Sequence, residues 1–327
     1  MAQTVRFGII GCGRISRAHL QALAEIDGAE AVAAADIDEA ALTQRADEFA
    51  VPNRYTDWKA LVADDAVDAV SICLPHNLHH PAALDAAAAG KHILTEKPMC
   101  NTLTECDDMI RAAEQAGVVL MVAQVLRRYP CNVLAKQWIQ EGRIGHVGSV
   151  VRRRTSYGAA HLDSYAWATK PEVAGGWLLY GFGSHEFDAI LWLLDTQADT
   201  VFAVGNKADP RWNDYDEIST VARLANGASA TMIQSLNCRE GAWDCVLCGT
   251  EGTITTRTQE VSLNGEKTPT PIPQGGPFRE QVEEFVHCVR TGAEPGPSGR
   301  NVRATMQVLE AVKLSLAEGR PIHAAAL

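Results

Sequence analysis

The chain contains no uninterrupted run of about 18 apolar residues, the length a membrane-crossing helix requires. Its Ala-rich stretch at 82–89 is short and carries Asp85, so no membrane span is expected. The amino terminus also lacks the charged leader, apolar segment and small-residue cleavage site of a secretory signal. A cytoplasmic protein is therefore expected. Positive charge is scarce as well: 29 Lys and Arg stand against 40 Asp and Glu, a formal charge of −11, with a pI near 5.4. That balance argues against a nucleic-acid partner, because a phosphate backbone is normally met by clustered basic surface. The one basic run, Arg152-Arg153-Arg154, is too short to reverse it. On a strand, alternation puts Arg153 on the opposite face from its neighbours, so the run reads as a solvated face with one functional arginine.

A disulfide framework is missing too. Nine cysteines, an odd number scattered along the chain, fit reduced thiols. Cys245-Val246-Leu247-Cys248 has no second Cys or His pair nearby, and in an extended segment its sulfurs face opposite sides. A zinc or redox role is not expected there. What is present is ordinary for a soluble globular protein: 46% hydrophobic and 21% charged residues. A length of 327 residues exceeds one typical domain, and two are expected.

Through about residue 124, short Val/Ile/Ala-rich runs alternate with helical patterns, as in a parallel sheet with covering helices. Strands are expected at 5–10, 31–35, 69–73, 92–94 and 118–122, with helices at 17–26, 39–49, 58–62, 80–89 and 103–116. Gly90 and Gly117 stand just past two of these helices, where a left-handed cap residue is favoured. The pattern is that of a doubly wound nucleotide-binding domain, residues 1–124. From 125 to 327 the texture is α+β. A helix at 132–141 and an extended run at 147–156 lead into a His-, Tyr- and Trp-rich loop at 157–171 and a helical segment at 178–194. Strand-like runs follow at 200–206, 218–224, 229–236, 245–249 and 252–256. Asn226-Gly227 and Glu251-Gly252 read as hairpin turns, implying an antiparallel sheet. Helices at 278–291 and 302–318 complete the chain, and the functional site is expected between the two domains.

Gly11-Cys12-Gly13 follows the first strand and precedes a helix. Glycines there allow a tight turn and close approach of the backbone to a pyrophosphate, with the helix amino terminus supplying free N–H groups. The third glycine position holds Ser16, small enough for close packing of helix on strand. Asp36, 20 residues beyond Ser16 at the end of the second strand, can accept from both adenosine ribose hydroxyls and would repel a 2′-phosphate. NAD is therefore expected in preference to NADP. Glu96-Lys97-Pro98 then places a lysine on a rigid turn straight after the strand at 92–94, which suggests a cation beside the nicotinamide.

Pro75-His76-Asn77-Leu78-His79-His80-Pro81, and Ala88-Ala89-Gly90-Lys91-His92-Ile93-Leu94-Thr95-Glu96-Lys97-Pro98, resemble the glucose-fructose oxidoreductase and inositol dehydrogenase (Gfo/Idh/MocA) family. The resemblance continues at Gly11-Cys12-Gly13-Arg14-Ile15, at Arg127-Arg128-Tyr129, from Gly175-Gly176-Trp177 to His185-Glu186-Phe187-Asp188, and from Phe278-Arg279-Glu280-Gln281 through Ser298-Gly299 to Pro321. It spans nearly the whole chain. It implies a Rossmann domain joined to an α+β domain with a large open sheet whose face commonly makes dimer or tetramer contacts. The activity implied is NAD(P)-dependent oxidation or reduction of a sugar, inositol or related polyol.

By the same resemblance Gly11, Gly13, Arg14, Ile15, Asp36, Pro75, His76, His79 and Glu96 line the cofactor, with His79 near the nicotinamide. Lys97 inherits the role of the lysine that hydrogen-bonds the reacting oxygen, and an ammonium there stabilises a developing alkoxide. His185 is the candidate general acid/base, since imidazole exchanges protons near neutral pH. Family members usually carry an aspartate four residues before it, and here that position is Gly181. Tyr180 replaces the missing group only if the helix starts late or the backbone shifts, and Asp188 could instead contact the imidazole. Arg128, Arg153, Tyr157, His161, Trp167 and Trp177 complete the candidate substrate contacts; aromatic faces suit sugar rings, and an arginine suits a carboxylated or phosphorylated one. The three histidines at 76, 79 and 80 lack a carboxylate partner in their stretch, so no metal is expected. Two other functions compete: a lyase that oxidises a sugar transiently and regenerates NAD, and an NAD-binding sensor with little turnover, made thinkable by Gly181.

Overall fold

Parallel strands covered on both faces must be apolar along their whole length, and β1 (Val5–Ile10), β4 (Ala69–Ile72) and β5 (His92–Thr95) are buried almost throughout. The structure, a computed structural model, describes residues 4–327 apart from the side chains of residues 159–161 and 163–165. Contacts divide the chain into two units, Met1–Val125 with Pro273–Val302, and Leu126–Ile272 with Arg303–Leu327.

In the first unit, β2 (Ala29–Ala35), β3 (Asn53–Tyr55) and β6 (Leu120–Val122) complete a six-stranded parallel sheet of order β3-β2-β1-β4-β5-β6. This is the doubly wound order, with its switch point between β1 and β4. The connecting helices are α1 (Ser16–Ala24), α2 (Glu39–Glu48), α3 (Trp58–Val62), α4 (His79–Ala88) and α5 (Leu103–Ala116). Their ends follow local chemistry. Asp38 caps α2 by accepting from the amides of Ala40 and Ala41, Thr102 and Glu105 form a capping box on α5, and Gly90 and Gly117 take the left-handed conformation past α4 and α5.

The division expected at residue 124 leaves 273–302 with the second domain, whereas contacts place that segment in the first unit. Helix α9 (Gly276–Thr291) explains the difference. Its Val282, Phe285 and Val286, spaced as one helical face, join the core around Phe7 and Ile9, with the Phe285 ring 5.7 Å from that of Phe7. Beyond it the Pro297 carbonyl accepts from the Val122 amide at 2.9 Å, fastening the segment to edge strand β6.

The second unit opens with α6 (Pro130–Gln140) and β7 (Val147–Thr155). After a short helix, α7 (Pro171–Ala174), the segment expected as one helix at 178–194 proves to be two pieces: a π-helical turn, Trp177–Gly183, and α8 (Ser184–Leu194). Strands β8 (Ala198–Asn206), β9 (Glu217–Leu224), β10 (Ser229–Ser235), β11 (Trp243–Gly249), β12 (Thr253–Arg257), β13 (Glu260–Leu263) and β14 (Glu266–Pro269) follow. Helix α10 (Gly299–Glu318) and β15 (Ile322–His323) close the chain. The sheet has nine strands in the order β14-β13-β12-β11-β7-β10-β9-β8-β15, antiparallel except for the β7–β10 pair. β13 and β14 fall outside the expected strands. Their hairpin signal is Asn264-Gly265, both at positive φ.

One face of this sheet is covered and the other is open. On β9, Ile218, Thr220, Ala222 and Leu224 are buried while Ser219, Val221 and Arg223 are exposed. Register aligns Val151, Thr231, Val221 and Phe202 in one row of the open face, and Arg153, Ile233, Ser219 and Val204 in the next. No helix among the described residues is long and apolar enough to cross a membrane.

Candidate active site

In the first unit, candidate site residues gather at the carboxyl ends of β1, β2, β4 and β5. Gly11 sits at φ +94°, and a Cβ there would lie 2.5 Å from the Cys73 carbonyl oxygen, so only glycine fits. A Cβ at Gly13 would meet nothing within 4 Å, leaving the open space a pyrophosphate needs. The Ser16 hydroxyl donates to the Gly13 carbonyl at 2.7 Å and tightens the turn into α1. One Asp36 oxygen accepts from the Cys12 amide at 2.7 Å and the other from the Asp38 amide at 2.9 Å. Asp36 is thus not a helix cap; that task falls to Asp38. Its carboxylate is oriented toward the glycine turn, with second lone pairs left for ribose hydroxyls. Arg45, 32 residues along the chain and without a local signal, reaches the Gly13 carbonyl at 3.4 Å while pairing with Glu48.

The lysine turn is held from beneath by a buried row of polar groups. Ser71 Oγ lies 2.8 Å from His19 Nδ1, His19 Nε2 lies 2.9 Å from Glu96 Oε1, and the Lys97 amide donates to Glu96 Oε2 at 3.2 Å. His19 is fully buried and Glu96 nearly so. Burial alone would push the Glu96 carboxyl up. The His19 hydrogen bond and neighbouring charge, including that of Lys97, outweigh it and hold Glu96 below the ordinary carboxylate value. It is ionised at neutral pH, beneath a half-buried Lys97. Only the fold identifies His19: it stands 77 residues from Glu96, on the face of α1 turned to the sheet.

Pro75 and the buried His76 lead into α4. His79, also buried, places Nδ1 2.7 Å from the Pro98 carbonyl and Nε2 2.8 Å from that of Leu74. It therefore ties the loop after β4 to the lysine turn. Burial pushes its pKa down, while the two carbonyl contacts act in the opposite sense. His80 instead faces Asp108 at 3.6 Å. Among the described residues no group of His, Cys, Asp and Glu is arranged to hold a metal ion.

In the second unit, His185 lies in the first turn of α8, half-buried. One expectation about its surroundings is corrected. Asp188 does not serve it: fully buried, it accepts from Arg127 Nε at 2.8 Å, from Arg127 Nη2 at 2.7 Å and from Thr305 Oγ1 at 3.1 Å. Tyr180 is 1% exposed, with its hydroxyl 3.5 Å from Glu310. The space beside Gly181 is occupied instead by the Trp177 indole, whose Cε3 would stand 2.7 Å from a Cβ at that position.

Arg153 is corrected as well, since it lies on the open face and pairs with Asp244. Its neighbours turn inward. Arg152 is buried against Glu186, and the Arg154 guanidinium lies 4.9 Å from the Phe182 ring and 4.8 Å from that of Trp243. Strand alternation separates Arg153 from this pair, as expected from the sequence, but does not show which face α8 covers. Trp167 meets Trp177 edge-on at 5.4 Å, and Trp177 meets Phe182 at 5.7 Å. Tyr157 is half-buried under Arg239, 4.3 Å above its ring, and Arg128 is partly exposed at the end of the 3-10 turn Val125–Arg128. The side chain of His161 lies outside the described residues.

A glycine turn after β1, an acid after β2 oriented toward it and a lysine after β5, all at one end of a doubly wound sheet, are the arrangement of a nicotinamide-dependent oxidoreductase. Comparison with known proteins agrees. Residues 5–124 match the family description "Oxidoreductase family, NAD-binding Rossmann fold", and residues 133–255 match the "GFO/IDH/MocA C-terminal domain". The chain belongs to the GFO/IDH/MocA family of NAD(P)-dependent oxidoreductases. It is 30% identical to levoglucosan dehydrogenase of Pseudarthrobacter phenanthrenivorans over 77% of this chain and 73% of that one. It is 28% identical to inositol 2-dehydrogenase of Rhizobium meliloti over 98% and 100%. Among solved structures, levoglucosan dehydrogenase in complex with NADH superposes with a TM-score of 0.90 at 26% identity, covering 98% of this chain and 99% of that one.

Proposed function

We propose that the protein is an NAD-dependent dehydrogenase or reductase acting on a secondary alcohol or ketone of a sugar, inositol or related polyol, working in the cytoplasm. The observation that carries this reading is the buried Ser71–His19–Glu96 row, which pins the Lys97 turn in the same unit as Asp36 and the glycine turn. Relatives that act on levoglucosan and inositol support the substrate class.

Gly11, Gly13 and the start of α1 would hold the pyrophosphate, and Asp36 the adenosine ribose; its charge disfavours a 2′-phosphate, hence NAD over NADP. Arg14, Ile15, Pro75, His76, His79 and Glu96 complete the cofactor-binding set. When bound, the nicotinamide supplies the hydride acceptor or donor. Lys97 Nζ donates a hydrogen bond to the reacting oxygen and stabilises negative charge developing there. An imidazole nitrogen of His185 takes the hydroxyl proton in oxidation and returns it in reduction. Arg128, Tyr157, Trp167 and Trp177 are proposed to contact substrate. The open sheet face, with Val151, Phe202, Val204, Val221 and Ile233 exposed, is proposed to pair subunits in a homodimer or homotetramer.

Incubation with NAD+ and a polyol panel tests the reading through NADH formation. Lys97→Ala and His185→Ala should each lower kcat/KM by about 100-fold or more, and activity surviving both would sink these roles. Turnover with tightly held cofactor and no net change in nicotinamide absorbance would favour the lyase instead.

A further inference from the structure

The covered face of the second unit carries a cation that the reaction as proposed does not use. Arg152 and Arg154 point to this face from β7, and among the described residues Glu186 is the one carboxylate within 4 Å of either. Arg152 donates to it directly and is buried with it, whereas Arg154 stays 3.9 Å away. One acid beside two guanidinium groups leaves a single positive charge uncompensated. It rests on Arg154, because Glu186 is already engaged.

Arg154 is held without being satisfied. The Phe182 and Trp243 rings lie 4.9 and 4.8 Å from its guanidinium carbon, and Trp243 is its cross-strand neighbour, so rings on two elements hold the group in place. No hydrogen-bond acceptor among the described residues reaches its N–H groups, and 26% of the side chain is open to solvent. A guanidinium that is oriented, reachable and short of acceptors is preorganised for a planar, two-oxygen anion. Gln234, the parallel-strand neighbour of Arg154, is buried and gives its amide N–H to the Leu178 carbonyl at 3.0 Å, so it offers the guanidinium no hydrogen bond and fastens the turn that carries Phe182. Phe182 stands three residues before His185, which sets this platform one turn from the candidate acid/base.

We propose that Arg154 reads a carboxylate on the substrate, so that the protein acts on sugar acids, hexuronates or hexonates, in preference to neutral sugars. The single uncompensated charge matches a monoanion better than a phosphate dianion. This assignment rests on the reading of the chain as a sugar oxidoreductase. Arg154 contributes to binding, and the proton and hydride steps are unchanged by it.

The test is calorimetric titration of the NAD+-loaded protein with D-glucuronate, D-galacturonate and D-gluconate, each against its neutral amide, with NADH formation followed in parallel. At least one acid should bind about tenfold or more tightly than its amide, the range of a charge-assisted hydrogen bond. Arg154→Gln should abolish that preference and Arg154→Lys should keep part of it. Acids binding no more tightly than their amides would overturn the proposal, as would an undiminished preference in Arg154→Gln, or glucose 6-phosphate outbinding every acid. If Arg154→Gln does not fold, the acid-against-amide contrast in the natural chain and in Arg154→Lys still decides. An acid preference without NADH formation would remove the oxidoreductase reading and leave Arg154 standing. NADH formation from neutral sugars alone would do the reverse.

Discussion

Replacing Gly181 by alanine tests why the site departs from its family's pattern. A Cβ at 181 would stand 2.7 Å from Trp177 Cε3 and 3.0 Å from Cδ2, at the fused bond of a rigid indole. The indole cannot simply turn aside, because it packs edge-on against Trp167 at 5.4 Å and Phe182 at 5.7 Å. Overpacking of this kind costs about 1–3 kcal/mol. Helix propensity works in the opposite sense, since alanine gains about 1 kcal/mol over glycine in a helical interior. The net effect of Gly181→Ala alone is therefore small and ambiguous in sign. A double-mutant cycle with Trp177→Ala separates the two effects, because propensity is common to both backgrounds and cancels. Denaturant unfolding should show a coupling of about 1–3 kcal/mol. Gly181→Ala should be less favourable beside the native Trp177 than in the Trp177→Ala background, where it should be neutral or mildly stabilising. Equal effects in the two backgrounds would refute the argument that Trp177 excludes a side chain at 181. The same logic applies to Gly181→Asp: an acid there can reach His185 only once the indole is gone.

Three further outcomes follow from buried groups and the open sheet. Asp188→Ala should destabilise the second unit by about 3–5 kcal/mol in unfolding experiments, because it leaves the buried Arg127 without its bidentate carboxylate. Stability should fall as pH drops below about 6.5, the ordinary histidine value, because burial holds the pKa of His79 and His92 below it. In that window the unfolded chain binds protons the folded chain refuses, and the Nδ1 lone pair with which His92 accepts from the Val119 amide would be lost on protonation; thermal melts from about pH 7.5 to 5.5 should show a slope that His79→Gln reduces. Val221→Lys, in the middle of the open-face row, should shift the protein to a smaller species in light scattering if that face pairs subunits, and an unchanged mass would place the interface elsewhere.

Much of this was legible in the chain because it depends on local chemistry. Gly11-Cys12-Gly13, Asp36 and Glu96-Lys97-Pro98 announce themselves through residue types that tight turns and strand ends demand, and apolar periodicity marks most strands and helices within a residue or two. The Asn264-Gly265 turn carries the same kind of signal, but its flanking strands are short and polar and fell outside the expected set. Other features left no local trace. The sequence by itself determined the doubly wound class, the glycine turn and the lysine placed after a strand, since each follows from short-range sterics and hydrophobic period. Only the tertiary structure decided that His19 stands behind Glu96, that Asp188 belongs to Arg127, that α9 joins the first core, and that Arg154 rather than Arg153 faces inward. Those outcomes depend on which distant segments cover which face, and burial and charge pairing between residues tens of positions apart are resolved only when the chain is packed.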